Sequence, residues 1–98
     1  MKVDEMVVFK YTIFTPGDDL HVLELPRDAQ FLKVGMQDNY VMLWALVDPT
    51  MPPESYEFRL KGTGHYAGDI IGNGFKFLDT VFMRQFVWHI WYRRIHSE

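Results

Sequence analysis

The sequence YVMLWALVD, residues Tyr40–Asp48, decides the fold of this chain. It is the longest nearly uninterrupted apolar run among the 98 residues, and its first charged side chain is the final Asp48. Turn-forming residues bracket it, with Asp38 and Asn39 before it and prolines at positions 49, 52 and 53 after it. Nine residues suit a strand and are too few to cross a membrane. Because the run is apolar throughout, it predicts a strand in the middle of the fold with both faces covered.

The two faces of this predicted strand differ in size. Small aliphatic side chains form one face and suit the packed interior between two sheets: Val41, Leu43, Ala45 and Val47. Bulkier side chains form the other face and need a cover of their own: Tyr40, Met42, Trp44 and Leu46. The proline-rich loop, the segment Trp88–Tyr92 and another chain are the three candidates for covering Trp44.

The segment QFLKVGMQ, Gln30–Gln37, is the predicted hairpin partner of the central strand. The connection between them is short, and Asp and Asn tolerate the left-handed conformations that tight turns need. Alternation places Leu32, Val34 and Met36 on one face. Gly35 inside this segment marks either a bulge or a close approach of another group to the backbone.

Three further strands are predicted by alternating side chains. They are Met6–Phe14, His21–Leu25 and Tyr56–Lys61, the last of which has the cleanest alternation in the chain. A Pro-Gly turn within Thr15–Asp19 separates the first two. The prolines of Asp48–Ser55 predict a rigid surface loop before the third.

The C-terminal part gives two competing predictions. As strands, Phe75–Met83 and Phe86–Ile95 form a hairpin around Met83-Arg84-Gln85, although these are unusual turn residues. One face of the first strand then carries Phe75, Phe77, Val81 and Met83, interrupted by Asp79. As a helix, apolar residues fall at a spacing of four: Leu78, Phe82, Phe86 and Ile90. The density of aromatic and β-branched residues favours the strands. Between Gly62 and Gly74 the glycine-rich sequence predicts an irregular loop with at most one helical turn, at Ala67–Ile71.

Seven short strands predict an all-β fold, a small antiparallel β-sandwich or a partly open barrel. The length suits a single compact domain over residues 1–98, and residues 93–98 are expected to form a flexible C-terminal tail. Eight Phe, five Tyr and three Trp residues supply large rings that suit a pleated sheet.

Composition narrows the expected location and partners. The chain has no cysteine, which fits a reducing compartment, and its acidic N-terminal residues do not resemble a secretory signal. No segment is apolar enough to span a membrane, so we expect a cytoplasmic protein. The net charge is −3, and residues 1–50 hold eight acidic against four basic side chains, which disfavours nucleic acid. A minority hypothesis of single-strand binding relies on a basic stripe of Arg59, Lys61, Arg93 and Arg94.

The most motif-like sequence is Gly62-Thr63-Gly64-His65, with Asp69 close behind it. Glycines let a ligand approach the backbone, so Thr63, His65 and Asp69 are the candidate contacts for a small molecule or nucleotide. The plain alternative is a glycine-supported loop with a surface histidine. An enzyme using His65 as base and Asp69 to orient it is the weakest hypothesis, because no nucleophile or oxyanion site accompanies them. The sequence predicts no catalytic residue, no metal ligand set and no cofactor, since the four histidines lack zinc spacing.

A second set of candidates is aromatic and basic. Its members are either packed in the core or exposed at an interface: Trp44, Trp88, His89, Trp91, Tyr92, Arg93 and Arg94. On a strand, His89 and Trp91 share a face that Trp88 does not. Uncovered sheet edges and surplus apolar area also predict self-association into a homo-oligomer.

Several of these pieces together resemble a known protein family. The pieces are VLELP at residues 22–26, AQFLKV at 29–34, MLWALVDP at 42–49, FR with GTGH at 58–65, and FVWHI at 86–90. This pattern resembles a small domain of unassigned function that is encoded mainly by bacteriophages. The resemblance implies a phage or prophage origin and action in the cytoplasm of an infected bacterium, and it supplies no functional residues. The leading hypothesis is therefore a non-enzymatic protein that binds a protein partner, such as a host or defence factor.

Overall fold

Residues 5–95 are described by a computed structural model, and within them the chain forms seven strands and no helix. The strands are β1 Val7–Phe14, β2 Leu20–Pro26, β3 Gln30–Gln37, β4 Tyr40–Val47, β5 Pro53–Gly62, β6 Lys76–Met83 and β7 Phe86–Ile95. All pairings between them are antiparallel. Three strands form one sheet in the order β1-β4-β3, and four form a second sheet in the order β2-β5-β7-β6. The two sheets form a sandwich and do not close into a barrel, which confirms the predicted fold class.

The apolar run that opened the sequence analysis is β4, the central strand of the three-stranded sheet. Its small aliphatic face is fully packed, with all four side chains at most 5% exposed: Val41, Leu43, Ala45 and Val47. The bulkier face looks outward. Trp44 lies there over Gly35 and between the paired positions Lys10 and Lys33. The close approach predicted at Gly35 is therefore that of an indole ring from its own sheet, and neighbouring strands supply the partial cover of Trp44.

The core lies between the inner faces of the two sheets. Its buried members come from all seven strands: Ile13, Phe14, Leu25, Val34, Val41, Leu43, Tyr56, Phe58, Val81 and Ile90. Four aromatic rings pack together within or beside this cluster, with centroids 4.9 to 6.5 Å apart: Phe31, Tyr56, Phe58 and Tyr92. Edge-to-face and tilted contacts of this kind add to the free energy gained from burying the rings.

Two tight hairpins confirm the predicted strand pairs. Asp38 and Asn39 alone connect β3 to β4, and Arg84 and Gln85 alone connect β6 to β7. The first residue of each loop has positive φ, 55° at Asp38 and 57° at Arg84. Positive φ at this first position is typical of the turns whose twist matches that of a hairpin. The C-terminal segments are thus strands, and the spacing of four among their apolar residues did not indicate a helix.

Bulges displace two side chains from their predicted faces. The pairing of β3 with β4 shifts register between Phe31 and Lys33, so Leu32 is 48% exposed and Phe31 packs against the core. The pairing of β6 with β7 shifts between Phe77 and Asp79, and Phe77 faces outward. A bulge inserts one extra residue and reverses the alternation beyond it. Strict alternation was therefore wrong for Leu32 and Phe77.

The start of β5 and the predicted C-terminal tail differ from the prediction, whereas β7 has the predicted bounds. Strand β5 begins at Pro53, inside the predicted proline loop, because proline is tolerated as the first residue of a strand. Strand β7 continues to Ile95, so Arg93 and Arg94 belong to it, and residues 96–98 of the predicted tail lie outside the described residues. Near the predicted helical turn, the N–H groups of residues 70 and 71 both donate to the carbonyl of Ala67, at 3.0 and 3.2 Å.

Candidate functional site

A cleft of about 730 Å³ opens where four connections of the sandwich meet. These are the β1–β2 turn, the β3–β4 hairpin, the β5–β6 loop and the β6–β7 hairpin. The floor of the cleft is apolar, formed by Phe14, Met36, Val41, Leu60, Met83 and Trp88. Phe14 and Val41 are also core residues, so the cleft reaches down to the packed interior. Its size and apolar floor are those of small-molecule sites.

His65 forms part of one wall and is fixed by its neighbours. The backbone N–H of Gly62 donates to His65 Nδ1 at 3.1 Å, which places the ring proton of the neutral histidine on Nε2. The imidazole also meets the indole of Trp88 edge to face, with centroids 5.7 Å apart. A Cβ at position 62 would lie 2.9 Å from His65 Cε1 and 3.1 Å from Trp88 Cζ3. Glycine at 62 is therefore what lets the two rings fold over the strand end.

Trp88 contributes a polar group that has no partner. Its indole Nε1 is buried, and within residues 5–95 it finds no hydrogen-bond acceptor. Buried indole N–H groups normally find an acceptor, since leaving one unpaired costs about 1–3 kcal/mol. Trp88 also lines the cleft. The Trp88 ring is thus part of the cleft lining, while its N–H is enclosed by the protein.

The rim of the cleft is acidic on the side of the β1–β2 turn. Asp18 Oδ2 accepts from the Thr15 hydroxyl at 2.5 Å and from the Thr15 N–H at 3.1 Å. These hydrogen bonds lower the pKa of the Asp18 carboxyl below its usual range. Asp19 follows on the same rim, and its backbone carbonyl accepts from the N–H of Leu60 at 2.9 Å. The turn is thus internally braced and tied to β5.

The opposite side of the rim carries a neutralised acid. Asp69 contacts Lys61 Nζ at 3.0 Å and the Arg59 guanidinium at 3.3 Å. The hydrogen bond from Lys61 is the main cause of the lowered pKa of the Asp69 carboxyl. Its charge is therefore balanced within the protein, whereas Asp18 and Asp19 form no ion pair with another residue of 5–95.

An ion-pair network on the outer face of the four-stranded sheet anchors the β5–β6 loop. Glu57 is only 7% exposed, and it binds Arg59 Nε at 2.6 Å and Arg93 Nη2 at 2.9 Å. Arg93 also donates to the carbonyl of Asn73 at 2.8 Å and lies 4.4 Å from the ring centroid of Phe75. The loop that carries the His65 wall is held at its far end by these contacts.

The region matched by a known sequence family covers all of the residues described above. A family model described as a domain of unknown function, DUF7352, matches residues 5–98. The chain belongs to the DUF7352 family. All seven strands and the complete lining of the cleft lie within the matched DUF7352 region. A search of curated proteins and a search of solved structures each found no match to the chain.

The DUF7352 fold brings together two of the three predicted ligand contacts. His65 and Asp69 both line the cleft. Thr63 instead contacts the outer face of the four-stranded sheet, where its hydroxyl lies 2.9 Å from His89 Nε2. The other ring nitrogen of His89 lies 3.0 Å from the Thr80 hydroxyl. His89 is thus held between two threonines on a surface away from the cleft.

The predicted interaction residues do not form one surface in the DUF7352 domain. Trp44 lies on the outer face of the three-stranded sheet, whereas His89, Trp91 and Arg93 share the outer face of the other sheet. The remaining three alternate to the inner side of β7: Trp88, Tyr92 and Arg94. The predicted separation of Trp88 from His89 and Trp91 on β7 is confirmed.

Sequence reasoning missed most of the cleft. Thr15–Asp19 was predicted as a turn, but its position opposite His65 depends on strand pairings between distant segments. Asn39 and Met83 come from two hairpin ends that meet there for the same reason. For Trp88 a local signal existed, since the alternation of β7 places it on the same face as the fully buried Ile90.

Other kinds of site have less support in this DUF7352 domain. Within residues 5–95 no three His, Asp or Glu side chains are grouped so as to hold a metal ion. The same residues contain no helix long and apolar enough to cross a membrane. Three of the four residues of the basic-stripe hypothesis share an outer face, where Glu57 and Asp69 pair with them: Arg59, Lys61 and Arg93. Arg94 lies on the other side of β7 and pairs with Glu54.

Proposed function

We propose that this domain binds a small, largely apolar ligand in the cleft and carries out no chemistry on it. The observation that supports this function best is the cleft itself, about 730 Å³ with an apolar floor and charged side chains at its rim. Sites for small ligands combine these features.

Binding without catalysis fits the hydrogen bonds of the two titratable wall residues. The enzyme hypothesis requires Asp69 to orient His65, but His65 Nδ1 accepts the N–H of Gly62 instead. Asp69 is engaged by Lys61 and Arg59. His65 and Asp69 therefore act separately, which favours a role as walls of a binding site.

The three tryptophans allow a direct test by NMR. Each indole N–H gives its own signal, and Trp44 and Trp91 lie on outer faces while Trp88 lines the cleft. We expect 4-phenylbutan-1-ol, a neutral probe with an apolar body, to shift the Trp88 signal saturably and leave the other two in place. Substituting Trp88→Phe assigns the signal. If the Trp88 signal does not move, or if all three move alike, the cleft is not the binding site.

Protein binding is the second candidate function, and a separate surface favours it. Phe77 and Phe82 are 56% and 70% exposed on β6, an edge strand, and Phe77 packs edge to face on Trp91 at 5.6 Å. Exposed aromatic side chains beside a free strand edge are typical of protein contacts and of self-association. The fitting partner is a protein with a complementary apolar patch, such as a host or defence factor.

A comparison of variants tests this second function. Wild type and a Phe77→Ser/Phe82→Ser variant are immobilised and exposed to bacterial lysate, with Tyr40→Ser on the other sheet as the matched control. We expect a partner retained by wild type and by Tyr40→Ser but lost with the double variant. Equal retention by all three would remove this surface from consideration. Sedimentation of the same proteins tests the homo-oligomer directly.

The resemblance to a phage-encoded domain supports a phage or prophage origin and a site of action in the cytoplasm of an infected bacterium. In that setting the two functions converge on interference with the host, by sequestering a small molecule or by occupying a protein. Fractionation of infected cells tests the location, and recovery of the protein outside the cytoplasmic fraction would contradict it.

A further inference from the structure

We infer that the ligand of the cleft is an amphipathic cation, with an apolar body on the floor and a primary ammonium group at the rim beside Asp18 and Asp19. This inference rests on the proposed function and adds the chemical class of the ligand. It follows from the balance of charges around the opening, the way the acidic turn is held, and the polarity of the floor.

The charges that line the cleft do not cancel. Three aspartates and one lysine line it: Asp18, Asp19, Asp69 and Lys61. Lys61 and Asp69 form an ion pair at 3.0 Å, and Arg59 adds a second contact to Asp69. Among residues 5–95 the two aspartates of the β1–β2 turn form no ion pair, and His21 makes the smallest of the contributions to the pKa of Asp18. A cation at the opening therefore meets attraction, and an anion meets repulsion.

The acidic side of the rim is held in place before any ligand arrives. Asp18 is braced through one oxygen by the Thr15 hydroxyl and N–H, which leaves its other carboxylate oxygen for a ligand. Like any exposed aspartate, this group is ionised at neutral pH, and the Thr15 hydrogen bonds lower its pKa further. Asp19 is tied to β5 through its backbone carbonyl, and its side chain is exposed. A preorganised group binds without the loss of freedom that a mobile one undergoes.

The floor decides where the ammonium group can lie. Its six side chains are hydrocarbon, thioether or aromatic, and burying a charge among such groups is unfavourable. An amphipathic cation avoids this by placing its apolar part on the floor and its charge in water at the rim, as long lysine side chains do. A free ammonium ion lacks the apolar part, and a neutral hydrocarbon makes no use of the two carboxylates.

Three probes with one body and different head groups test the inference. They are 4-phenylbutylamine, 4-phenylbutan-1-ol and 4-phenylbutanoate, titrated by calorimetry and by the indole NMR signals at pH 7 in low salt. We expect the amine to bind about tenfold more tightly than the alcohol, and the carboxylate to bind most weakly. The preference should decline at 0.5 M salt, because the rim is exposed to solvent.

Matched charge variants locate the preference. Asp19→Asn removes one charge and leaves the Thr15–Asp18 hydrogen bonds intact. It should weaken amine binding about threefold to tenfold while leaving alcohol binding unchanged. Glu24→Gln removes the same charge from an exposed position on β2, and it should change neither.

The outcomes separate the inference from the function on which it rests. If all three probes shift Trp88 with equal affinity, or if the carboxylate binds best, the cation preference is wrong and the cleft remains a binding site. If none of the probes shifts Trp88, both proposals fail. A preference for the amine that survives Asp19→Asn unchanged would also overturn the assignment of the charge to this turn.

Discussion

Replacing Glu57 with glutamine should strongly destabilise the fold. The carboxylate is 7% exposed and is shared by two guanidinium groups, with Arg59 Nε at 2.6 Å and Arg93 Nη2 at 2.9 Å. Glutamine keeps the shape but removes the charge and turns one acceptor oxygen into a donor. That NH₂ group must face one of the two arginines, so a repulsive contact replaces an attractive one.

The size of the effect follows from the number and burial of the bonds. A hydrogen bond to a charged group contributes about 1.5–3 kcal/mol, and Glu57 receives such bonds from two arginines. The side chains of Arg59 and Arg93 keep 25% and 38% of their surface exposed, so water compensates part of the loss. We therefore expect Glu57→Gln to lower the free energy of unfolding by about 2–4 kcal/mol.

Glu57 also makes the free energy of unfolding depend on pH, in a direction that its pKa predicts. Burial raises the pKa of the Glu57 carboxyl, but the hydrogen bonds and charges of Arg59 and Arg93 outweigh it and leave the pKa below its usual value. A carboxyl whose pKa is lower in the folded state stabilises the fold above its unfolded pKa. That contribution is lost as the pH falls through the folded value. The difference between wild type and Glu57→Gln should shrink accordingly in acid.

Urea unfolding followed by tryptophan fluorescence measures both effects. The titrations are run at pH 7 and at decreasing pH, with the exposed Glu24→Gln as the control for charge removal alone. Glu24→Gln should stay within about 0.5 kcal/mol of wild type. A Glu57→Gln variant equally close to wild type, or a difference that stays constant down to acidic pH, would refute the reasoning.

Three further changes test the packing, each by urea unfolding. Gly62→Ala should lower the free energy of unfolding by about 1–2 kcal/mol, because the new Cβ would lie 2.9 Å from His65 Cε1 and 3.1 Å from Trp88 Cζ3. The loss should be smaller in a His65→Ala background, and an equal loss there would contradict the role of His65. Arg84→Gly should raise the free energy of unfolding by about 0.5–1 kcal/mol, because φ is 57° at this position and glycine adopts positive φ without strain. Arg84→Ala should give no gain. A loss of stability in Arg84→Gly would contradict the turn geometry. Ile90→Ala should lower the free energy of unfolding by about 2–5 kcal/mol, since Ile90 is fully buried, and a loss below about 1 kcal/mol contradicts its place in the core.

Local sequence patterns predicted the strands well because the alternation of a strand depends only on the residues of that short segment. The faces of β4 followed from size alternation alone, with Leu43 inside and Trp44 outside. The loops at Asp38 and Arg84 followed from how few residues separate the strands. Arg84 shows the limit of residue preferences: the strands on both sides impose a positive φ that arginine disfavours.

Bulges and long-range pairings were out of reach for a physical reason. The bulges at Leu32 and Leu78 arise because one strand of each pair has an extra residue relative to its partner. The sequence of one strand alone does not show how many residues its partner will use. The pairing of β1 with β4, and of β5 with β7, joins segments far apart in the chain. Alternation says that a strand has an inner face but leaves its neighbour open. The cleft depends on these pairings, so only its glycine-rich loop could be predicted.

The β5–β6 loop links the ion-pair network to the cleft through contacts at its start, middle and end. At its start, Gly62 fixes His65 against the cleft wall. In the middle, Asp69 lines the cleft and is held by Lys61 and Arg59. At its end, the carbonyl of Asn73 is held by Arg93, which also binds Glu57.

A glycine-rich loop would otherwise lose much conformational freedom on closing around a ligand. Here the sheet beneath the loop already fixes both of its ends and its middle. The conformational entropy of the loop is therefore lost when the protein folds, and little more is lost when a ligand binds. The charges on the outer face therefore serve the cleft indirectly. They neutralise Asp69 and hold the wall, and the unbalanced carboxylates of the opposite turn remain to select what enters.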